Sequence, residues 1–367
     1  MDPGSRFMNS VRINHNQRVT VRRVTQLDIA RKAGVSRSTV TYALRRHPKI
    51  PESTRLHIEK VAREMGYVPD PVLASLAYYR NQCRPTAYHG TLAWLVYTNY
   101  DYRRSPHYSS YFEGASQQAL HHGYKVEEFR INPDERHYPN RAVSILRSRG
   151  VSGILVGPLP GADMNLKFLW DSFAFIAFGY TLTKPTLNSV ASGIFQNTQR
   201  ALRELRARGY RRIGLVIDPL VDRRCKMAFT SAFFGEQILH IGAESVIPTL
   251  NESFFERRLG ARNIAELEAY VQRYSLDAVV SDDYCLMERL QLSSLSVPDV
   301  FGAAGIGLPE PDMELSGVVE DSRRVGALAV DLLVRMIQRG EWGIPEFAVH
   351  SFVEGIWNEG TTLRPKI

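Results

Sequence analysis

Residues 24–69 of the 367-residue chain read VTQLDIARKAGVSRSTVTYALRRHPKIPESTRLHIEKVAREMGYVP. Apolar residues recur here at helical spacing, which predicts three short helices around a small shared core. A tight turn separates the first two helices, because Gly34 tolerates positive φ and Ser36 can cap the second helix. That helix opens with Arg37, Ser38 and Thr39, which are basic or short and polar. A helix presented in this way fits a DNA groove, so residues 24–70 are predicted to form a helix-turn-helix DNA-binding domain.

The charge of the chain is concentrated in its first quarter. Residues 1–84 contain 16 Lys and Arg against 6 Asp and Glu, whereas the rest contains 30 against 32. This asymmetry predicts a polyanion partner for the N-terminal part and a nearly neutral domain behind it. We interpret residues 1–23 as a basic arm, whose first seven residues precede a second methionine, Met8, and look like an added tag.

The composition argues against several classes of protein. The three cysteines, Cys83, Cys225 and Cys285, form no CxxC pair and no zinc-site spacing, so we expect no metal, no disulfide framework and a reducing compartment. No apolar run of about 18 residues and no signal-peptide core occur, so we expect no membrane partner and a location in the bacterial cytoplasm, at the nucleoid. We find no nucleophile elbow, P-loop, HExxH or EF-hand, and therefore predict no enzyme activity and no cofactor.

A conditional helix is predicted behind the DNA-binding domain. The third helix spans about Glu52 to Met65 and stops at Gly66. A further helix is predicted from Pro71 to about Tyr79. Asp70 is its N-cap, and Pro71 occupies its first helical position. A helix this short is marginal in water and needs a partner helix or DNA. Residues 71–90 are therefore predicted to be a hinge helix and linker.

From Thr91 onward, strands and helices alternate, which predicts parallel sheets with helices on both faces. The predicted strands are Leu92–Tyr97, Lys125–Arg130, Gly153–Val156, Phe173–Phe178, Arg212–Ile217, Glu244–Ile247 and Ala278–Ser281. The predicted helices are Ser109–His121, Asn140–Arg149, Phe195–Arg208, Arg224–Gln237 and Asn263–Tyr274. The glycine-rich run 302–307, GAAGIG, is better explained by close packing of small residues than by nucleotide binding.

Two similar halves can be recognised within residues 91–367, each with a helix that ends near a Gly-Tyr pair, at Gly123-Tyr124 and at Gly209-Tyr210. Two open α/β lobes with a cleft between them are typical of a ligand-binding domain. We predict two doubly wound lobes, the first from about 91–190 with 318–345 and the second from about 191–317 with 346–367.

The pattern V-T-x-x-D-I-A-R-x-A-G-V-S-x-S-T-V, the following Gly-Tyr-x-Pro and a later Ser-Leu strongly resemble the LacI/GalR family of bacterial transcription regulators. The lobes resemble that family's periplasmic-binding-protein-like sensor domain, for example at residues 208–214, RGYRRIG. The resemblance implies a homodimer, or a tetramer, that binds a pseudo-palindromic operator and acts as a repressor. It also implies a small-molecule effector in the cleft, a carbohydrate or another metabolite.

The resemblance assigns DNA-binding roles to individual residues. Arg37 and Ser38 match the family's base-reading pair. Thr41 and Tyr42 lie one turn further along the helix and are candidates for the same role. The alternative for Arg37 is a contact with phosphate. Leu76 matches a leucine that inserts into the minor groove next to Leu73 and Ser75; the alternative is that Leu76 packs against protein. The candidate phosphate contacts, each alternatively a surface residue, are Thr25, Ser36, Thr39, Arg45, Lys49 and Thr54.

The cleft departs from the family pattern, because Phe229 stands where sugar-binding members carry Arg and Ile306 where they carry Asp. Bidentate Arg and Asp hold sugar hydroxyls, so three alternatives stay open: a different ligand, a displaced sugar clamp, or no ligand. The polar candidates for the effector site, next to Phe229 and Ile306, are His107, Tyr108, Asp218, Asp222, Arg223, Arg224 and Asp283. Two rival classes of protein were considered. A solute-binding protein for transport would need a signal peptide, and the sequence shows none. An enzyme tethered to nucleic acid would need a catalytic constellation, and the sequence shows none.

Overall fold

A computed structural model describes residues 24–44, 50–67, 90–135, 137–251, 261–284, 286–311 and 313–366. The chain divides into two compact units, Met1–Leu76 and Ala77–Ile367. The predicted basic arm and nearly all of the predicted hinge helix and linker lie outside the described residues. Within the described ranges, no helix is long and apolar enough to cross a membrane.

The N-terminal unit contains the three predicted helices, α1 (Gln26–Ala33), α2 (Arg37–Leu44) and α3 (Glu52–Glu64). Thr25 and Asp28 form a capping box at the start of α1, and Gly34 ends the helix in the left-handed conformation at φ 68°. The helices enclose a core whose fully buried members are Ile29, Val40, Ala43 and Ile58.

The C-terminal unit is an α/β structure. In chain order its strands are β1 (Gly90–Tyr97), β2 (Tyr124–Ile131), β3 (Val151–Val156), β4 (Met164–Asn165), β5 (Ala174–Phe178), β6 (Leu182–Lys184), β7 (Ser189–Ser192), β8 (Ile213–Ile217), β9 (Leu250–Asn251), β10 (Ala278–Ser281), β11 (Gly302–Leu308), β12 (Gly317–Val319), β13 (His350–Val353) and β14 (Ile356–Asn358). Its helices are α4 (Pro106–His121), α5 (Tyr138–Ser148), α6 (Ile194–Ala207), α7 (Pro219–Arg224), α8 (Ala228–Ile241), α9 (Ala261–Tyr274), α10 (Leu286–Leu290) and α11 (Ser322–Arg339).

Two six-stranded sheets form two lobes. The first sheet has the order β13-β7-β5-β3-β1-β2 and is parallel throughout. The second has the order β14-β12-β11-β10-β8-β9, in which only β14 runs antiparallel. Buried parallel strands are apolar on both faces, which explains why β5 and β8 read as AFIAF and IGLVI. The chain passes between the lobes after β7, after β12 and after β13, so the lobes are joined by three short connections.

Helices α4 and α11 cross in the first lobe at two glycines. A Cβ at Gly114 would lie 2.0 Å from the backbone oxygen of Arg323, and one at Gly326 would lie 2.1 Å from the backbone oxygen of Tyr111. Both distances are far inside van der Waals contact, so the two backbones can approach this closely only because neither position carries a side chain. This crossing places the N-terminal half of α4 next to the start of α11.

Three sequence predictions need correction. The predicted strand Glu244–Ile247 is instead a 3-10 turn at Ala243–Ser245, and the edge strand lies later, at β9. The predicted helix Arg224–Gln237 is two helices, α7 and α8, separated by residues with positive φ. Strand β13 belongs to the first sheet, although residues 346–367 were predicted to lie in the second lobe. The place of β13 depends on its pairing with β7, which is distant in sequence, and local periodicity does not report such a pairing.

Candidate DNA interface and interlobe cleft

The second helix of the N-terminal unit presents a polar surface at its first turn. Ser36 precedes α2, and its Oγ accepts a hydrogen bond from the backbone N–H of Thr39 at 3.1 Å, which caps the helix. Arg37 and Ser38 directly follow and are exposed, as is Tyr42 one turn later. Because the opposite face of α2 packs in the core, these three side chains point to the outside of the unit. The local fold therefore exposes these side chains, and their role in reading bases stays a prediction.

Thr41 has a second role in the structure. Its hydroxyl lies 2.9 Å from the side-chain oxygen of Gln26 and 3.0 Å from the backbone oxygen of Arg37, and it shares its proton between them. This contact joins α1 to α2. The hydroxyl of Thr41 thus positions the second helix, and the contact of Thr41 with a base stays a prediction.

Hydroxyl groups that are predicted to contact phosphate also form hydrogen bonds within the protein. Thr25 Oγ1 donates to the carboxylate of Asp28 at 2.7 Å, and Thr39 Oγ1 lies 2.8 Å from Ser36 Oγ. Thr54 is partly buried in the first turn of α3. Their role in phosphate binding stays a prediction. The other predicted contacts lie outside the described residues, namely Arg45, Lys49, Leu73, Ser75 and Leu76.

The C-terminal unit has a cleft where the carboxyl ends of the two sheets meet. Tyr100 and Leu159 follow β1 and β3 in the first lobe, whereas Asp218 and Asp282 follow β8 and β10 in the second. In each sheet these are the neighbouring central strands at which the strand order reverses. Such reversal points are where open α/β sheets bind ligands. The topology therefore indicates the same cleft that the two-lobe pattern predicts.

Arg224, the last residue of α7, connects the two lobes across this cleft. Its Nη2 donates to the backbone oxygen of Leu159 at 3.0 Å, to the hydroxyl of Tyr108 at 3.2 Å and to that of Tyr100 at 3.4 Å. The guanidinium carbon also lies 5.8 Å from the ring centroid of Tyr108. All three acceptors belong to the first lobe, so Arg224 bridges the two lobes across the cleft.

A second interlobe contact lies two residues further along. Lys226 Nζ donates to Thr183 Oγ1 at 2.9 Å and forms an ion pair with Asp163, both in the first lobe. Asp163, Lys226 and Met227 have positive φ values of 53°, 57° and 59°. Non-glycine residues in this region cost on the order of 1–3 kcal/mol each and concentrate at functional sites. Backbone strain therefore occurs in both lobes at this contact, as is typical of a functional site.

The second-lobe wall of the cleft is acidic, but most of its carboxylates have partners. Asp218 caps α7 by accepting from the backbone N–H of Leu220 at 2.8 Å, and the buried Asp222 accepts from the hydroxyl of Thr230. Asp283 forms an ion pair with Arg289 at 2.8 Å. Three predicted effector residues thus make contacts within the second lobe, which stabilise the wall.

Asp282 differs from its acidic neighbours. Its Oδ1 is buried and has no hydrogen-bond partner among the described residues. Burial, followed by the charges of Asp283 and Asp218, raises the pKa of Asp282 well above its ordinary value. The neutral form of this carboxyl group, at the end of β10, is therefore favoured more than in an ordinary aspartate, and in that form the group can both donate and accept a hydrogen bond.

His107 belongs to a network next to the crossing of α4 and α11. Its Nδ1 lies 3.1 Å from Ser322 Oγ, and that hydroxyl donates to Glu320 at 3.0 Å. The hydroxyl of Tyr111 donates to the same carboxylate at 2.6 Å. Glu320 follows β12 on one of the three connections between the lobes. The network therefore joins the first lobe to a segment that must adjust if the lobes move.

The remaining predicted effector residues are placed differently from our expectation. Phe229 and Ile306 were predicted at the effector site, but they are 3% and 2% exposed and pack in the apolar core of the second lobe. Neither offers a polar atom to a ligand. Arg223 is exposed on α7.

Sequence reasoning missed several residues of the cleft. Tyr100, Leu159, Asp163 and Lys226 make the interlobe contacts, and Asp282 provides the unpartnered carboxyl group. Of these, Tyr100, Leu159 and Asp282 follow central parallel strands within three residues. Strand-end position was the signal that would have identified them.

The comparisons with known proteins agree with this architecture. Residues 25–70 match the family model described as bacterial regulatory proteins, lacI family. The chain is 27% identical over 237 residues to the HTH-type transcriptional regulator PtxS of Pseudomonas putida, covering 61% of this chain and 65% of PtxS. It is 36% identical over 102 residues to the HTH-type transcriptional repressor CytR of Escherichia coli (strain K12), covering 28% of this chain and 26% of CytR.

The match therefore spans less than two thirds of the length of either relative. The fold is similar to that of the lac repressor dimer bound to operator and the anti-inducer ONPF, with a TM-score of 0.53 and 18% identity. That comparison covers 93% of this chain and 100% of the repressor chain. Residues 25–70 are therefore a helix-turn-helix domain that matches the lacI family model, and the fold of the chain is similar to that of the lac repressor.

Proposed function

We propose that the chain is a sequence-specific DNA-binding transcriptional regulator, a repressor, that binds a pseudo-palindromic operator as a homodimer. A small molecule in the interlobe cleft changes its affinity for the operator. The observation that carries the proposal is the capped helix α2, which presents Arg37, Ser38 and Tyr42 on its outer face. This is the geometry of a recognition helix.

The side chains at the start of α2 have the chemistry for reading bases. An arginine can donate two parallel hydrogen bonds to O6 and N7 of guanine, which discriminates against other bases by roughly 1–3 kcal/mol. Ser38 can donate or accept at a neighbouring base. Tyr42 adds an aromatic ring where the family pattern often has a charged or amide side chain, so we expect an operator that differs from those of many relatives.

The dimer and its operator are supported by the lac repressor, which has the same fold and is a dimer on operator DNA in its crystal structure. Two copies of α2, related by a twofold axis, would read two inverted half-sites about one helical turn or a multiple of it apart. We place this activity in the bacterial cytoplasm, at the nucleoid.

Regulation is proposed to act through the closure of the lobes. Arg224 and Lys226 link the lobes through the chain's own side chains. A ligand that competes for these contacts, or adds to them, binds one arrangement of the lobes better than the other. Such a difference in affinity is what a ligand needs to shift an equilibrium between two states.

The dependence of binding on salt tests the DNA-binding part of the proposal. Each phosphate neutralised contributes about −0.9 to the slope of log affinity against log salt. For a dimer with several phosphate contacts per subunit, we expect a slope steeper than about −5 between about 50 and 200 mM salt. The measurement is fluorescence anisotropy of a labelled operator obtained by selection from random DNA.

Lys49→Ala removes one predicted phosphate contact per subunit, or two per dimer. We expect it to reduce the slope by about 2 and to weaken binding to all sequences equally. Lys32→Ala is the matched control, because Lys32 is an exposed lysine on α1 whose ammonium lies 3.9 Å from Glu64. A flat salt dependence of the unmodified protein would rule out the proposed DNA binding.

A further inference from the structure

Arg224 differs from the other arginines of the C-terminal unit that lie largely out of solvent. Arg208 pairs with Glu204 and Glu359, Arg206 pairs with Glu236, and Arg289 pairs with Asp283. Arg224 forms no ion pair with any carboxylate of the described residues, and its acceptors are two phenols and one backbone oxygen. A cation removed from water normally requires a counter-charge. The cleft therefore contains a guanidinium whose charge the described protein does not neutralise.

The contacts of Arg224 also leave part of its donor capacity unused. All three of its hydrogen bonds are made by Nη2, and Nε and Nη1 donate to no described residue. Guanidinium has five N–H donors in a fixed planar arrangement, which suits the paired oxygens of a carboxylate or phosphate. Hydrogen bonds to such ions are roughly twice as strong as those to neutral acceptors. An anion would therefore be a better partner for Arg224 than its present acceptors.

The acidic wall opposite does not exclude an anion. Asp218, Asp222 and Glu320 already accept hydrogen bonds from the protein, and burial raises the pKa of Asp282, which favours its neutral form. The Oδ1 atom of Asp282, at the end of the central strand β10, has no hydrogen-bond partner among the described residues. Leaving a buried polar atom unpaired costs about 1–3 kcal/mol, which a ligand hydroxyl would recover.

We propose that the interlobe cleft takes an anionic, hydroxylated metabolite, whose carboxylate or phosphate binds Arg224 and whose hydroxyl groups bind Asp282. This proposal rests on the proposed role of the cleft as the effector site and names the class of ligand. The family pattern places an Arg and an Asp where this chain has Phe229 and Ile306, and the proposal gives the partly buried guanidinium of Arg224 the role of binding the ligand. An uncharged sugar would satisfy the hydroxyl partner but leave the charge of Arg224 unneutralised.

The test is isothermal titration calorimetry on the full chain with three related ligands, D-gluconate, D-glucose 6-phosphate and D-glucose. We expect at least one anion to bind roughly ten- to hundred-fold more tightly than glucose, as a charge-assisted hydrogen bond implies. Preference for gluconate identifies a carboxylate, and preference for the sugar phosphate identifies a phosphate. If glucose binds as tightly as both anions, or if neither anion binds, the proposal is wrong.

Arg224→Gln is expected to remove the preference for the anion, and Arg224→Lys to recover part of it, because lysine keeps the charge but loses the planar fork. Arg141→Gln, at an exposed arginine of α5, is the matched control and should bind like the unmodified protein. Unchanged anion binding by Arg224→Gln would contradict the assigned role. Operator affinity of each variant without ligand, measured in parallel, separates failure of this inference from failure of the proposed DNA binding.

Discussion

Replacement of Gly326 by alanine is expected to lower the free energy of unfolding of the C-terminal unit by about 3 kcal/mol. The new methyl group would lie 2.1 Å from the backbone oxygen of Tyr111 and 2.7 Å from the backbone nitrogen of Ala115. Both are main-chain atoms of α4, so no side chain can rotate to make room. The two helices would have to separate, and the buried apolar contacts between them would weaken.

The matched control is Gly235→Ala on helix α8. A Cβ at Gly235 meets nothing within 4 Å, so this substitution should raise the free energy of unfolding by about 0.5–1 kcal/mol through helix propensity. Chemical denaturation followed by circular dichroism measures both values. If Gly326→Ala is as stable as the unmodified protein, the crossing of α4 and α11 is wrong as described.

Gly326→Ala also has a functional consequence. The crossing holds Tyr111 of α4 next to Ser322 of α11, and both bind the carboxylate of Glu320 on a connection between the lobes. Separation of the helices would loosen this network. We therefore expect a change in ligand response even under conditions in which the variant is still folded.

Arg37→Ala is expected to cause the largest loss of operator binding. If Arg37 contacts guanine in each half-site, its removal costs about 1–3 kcal/mol per half-site and roughly twice that for the dimer. Preference for guanine at the contacted position should be lost at the same time. If Arg37 contacts only phosphate, binding weakens for all sequences and the preference is retained.

Competition binding to operators with each base at that position distinguishes these outcomes. Arg31→Ala is the matched control, because Arg31 is an exposed arginine in the last turn of α1, outside the recognition helix. It should change the affinity little and leave the base preference intact. An Arg37→Ala variant that binds the operator like the unmodified protein would exclude α2 as the recognition helix.

Much of the fold follows from local signals in the sequence. The three N-terminal helices were predicted because a capping residue, a glycine turn and apolar spacing lie within a few residues of one another. Most central strands were predicted because both of their faces are buried, which makes them continuous apolar runs. The break between α7 and α8 was missed, since Lys226 and Met227 adopt positive φ without being glycine. The side chain of Lys226 contacts Thr183 and Asp163 of the other lobe, which the local sequence does not report.

The candidate sites differ in how well the sequence predicts them. The DNA-reading surface is a single helix, so the order of residues determines which side chains lie together. The cleft is assembled from residues more than a hundred positions apart, such as Arg224 and Tyr100. Arg224 could be named as a polar candidate, but only the structure identifies its neutral partners. Phe229 and Ile306 were assigned by alignment to a family pattern, and alignment does not report that both are buried.

Selection of duplex DNA from a random pool by the full chain, followed by footprinting of the enriched sequence, tests the account most directly. We predict enrichment of two inverted half-sites with guanine at the position read by Arg37, and protection of both half-sites by one dimer. Addition of the anionic ligand identified by calorimetry should change the affinity for that sequence. A pool that acquires no sequence preference, or protection of a single half-site by a monomer, would contradict the account.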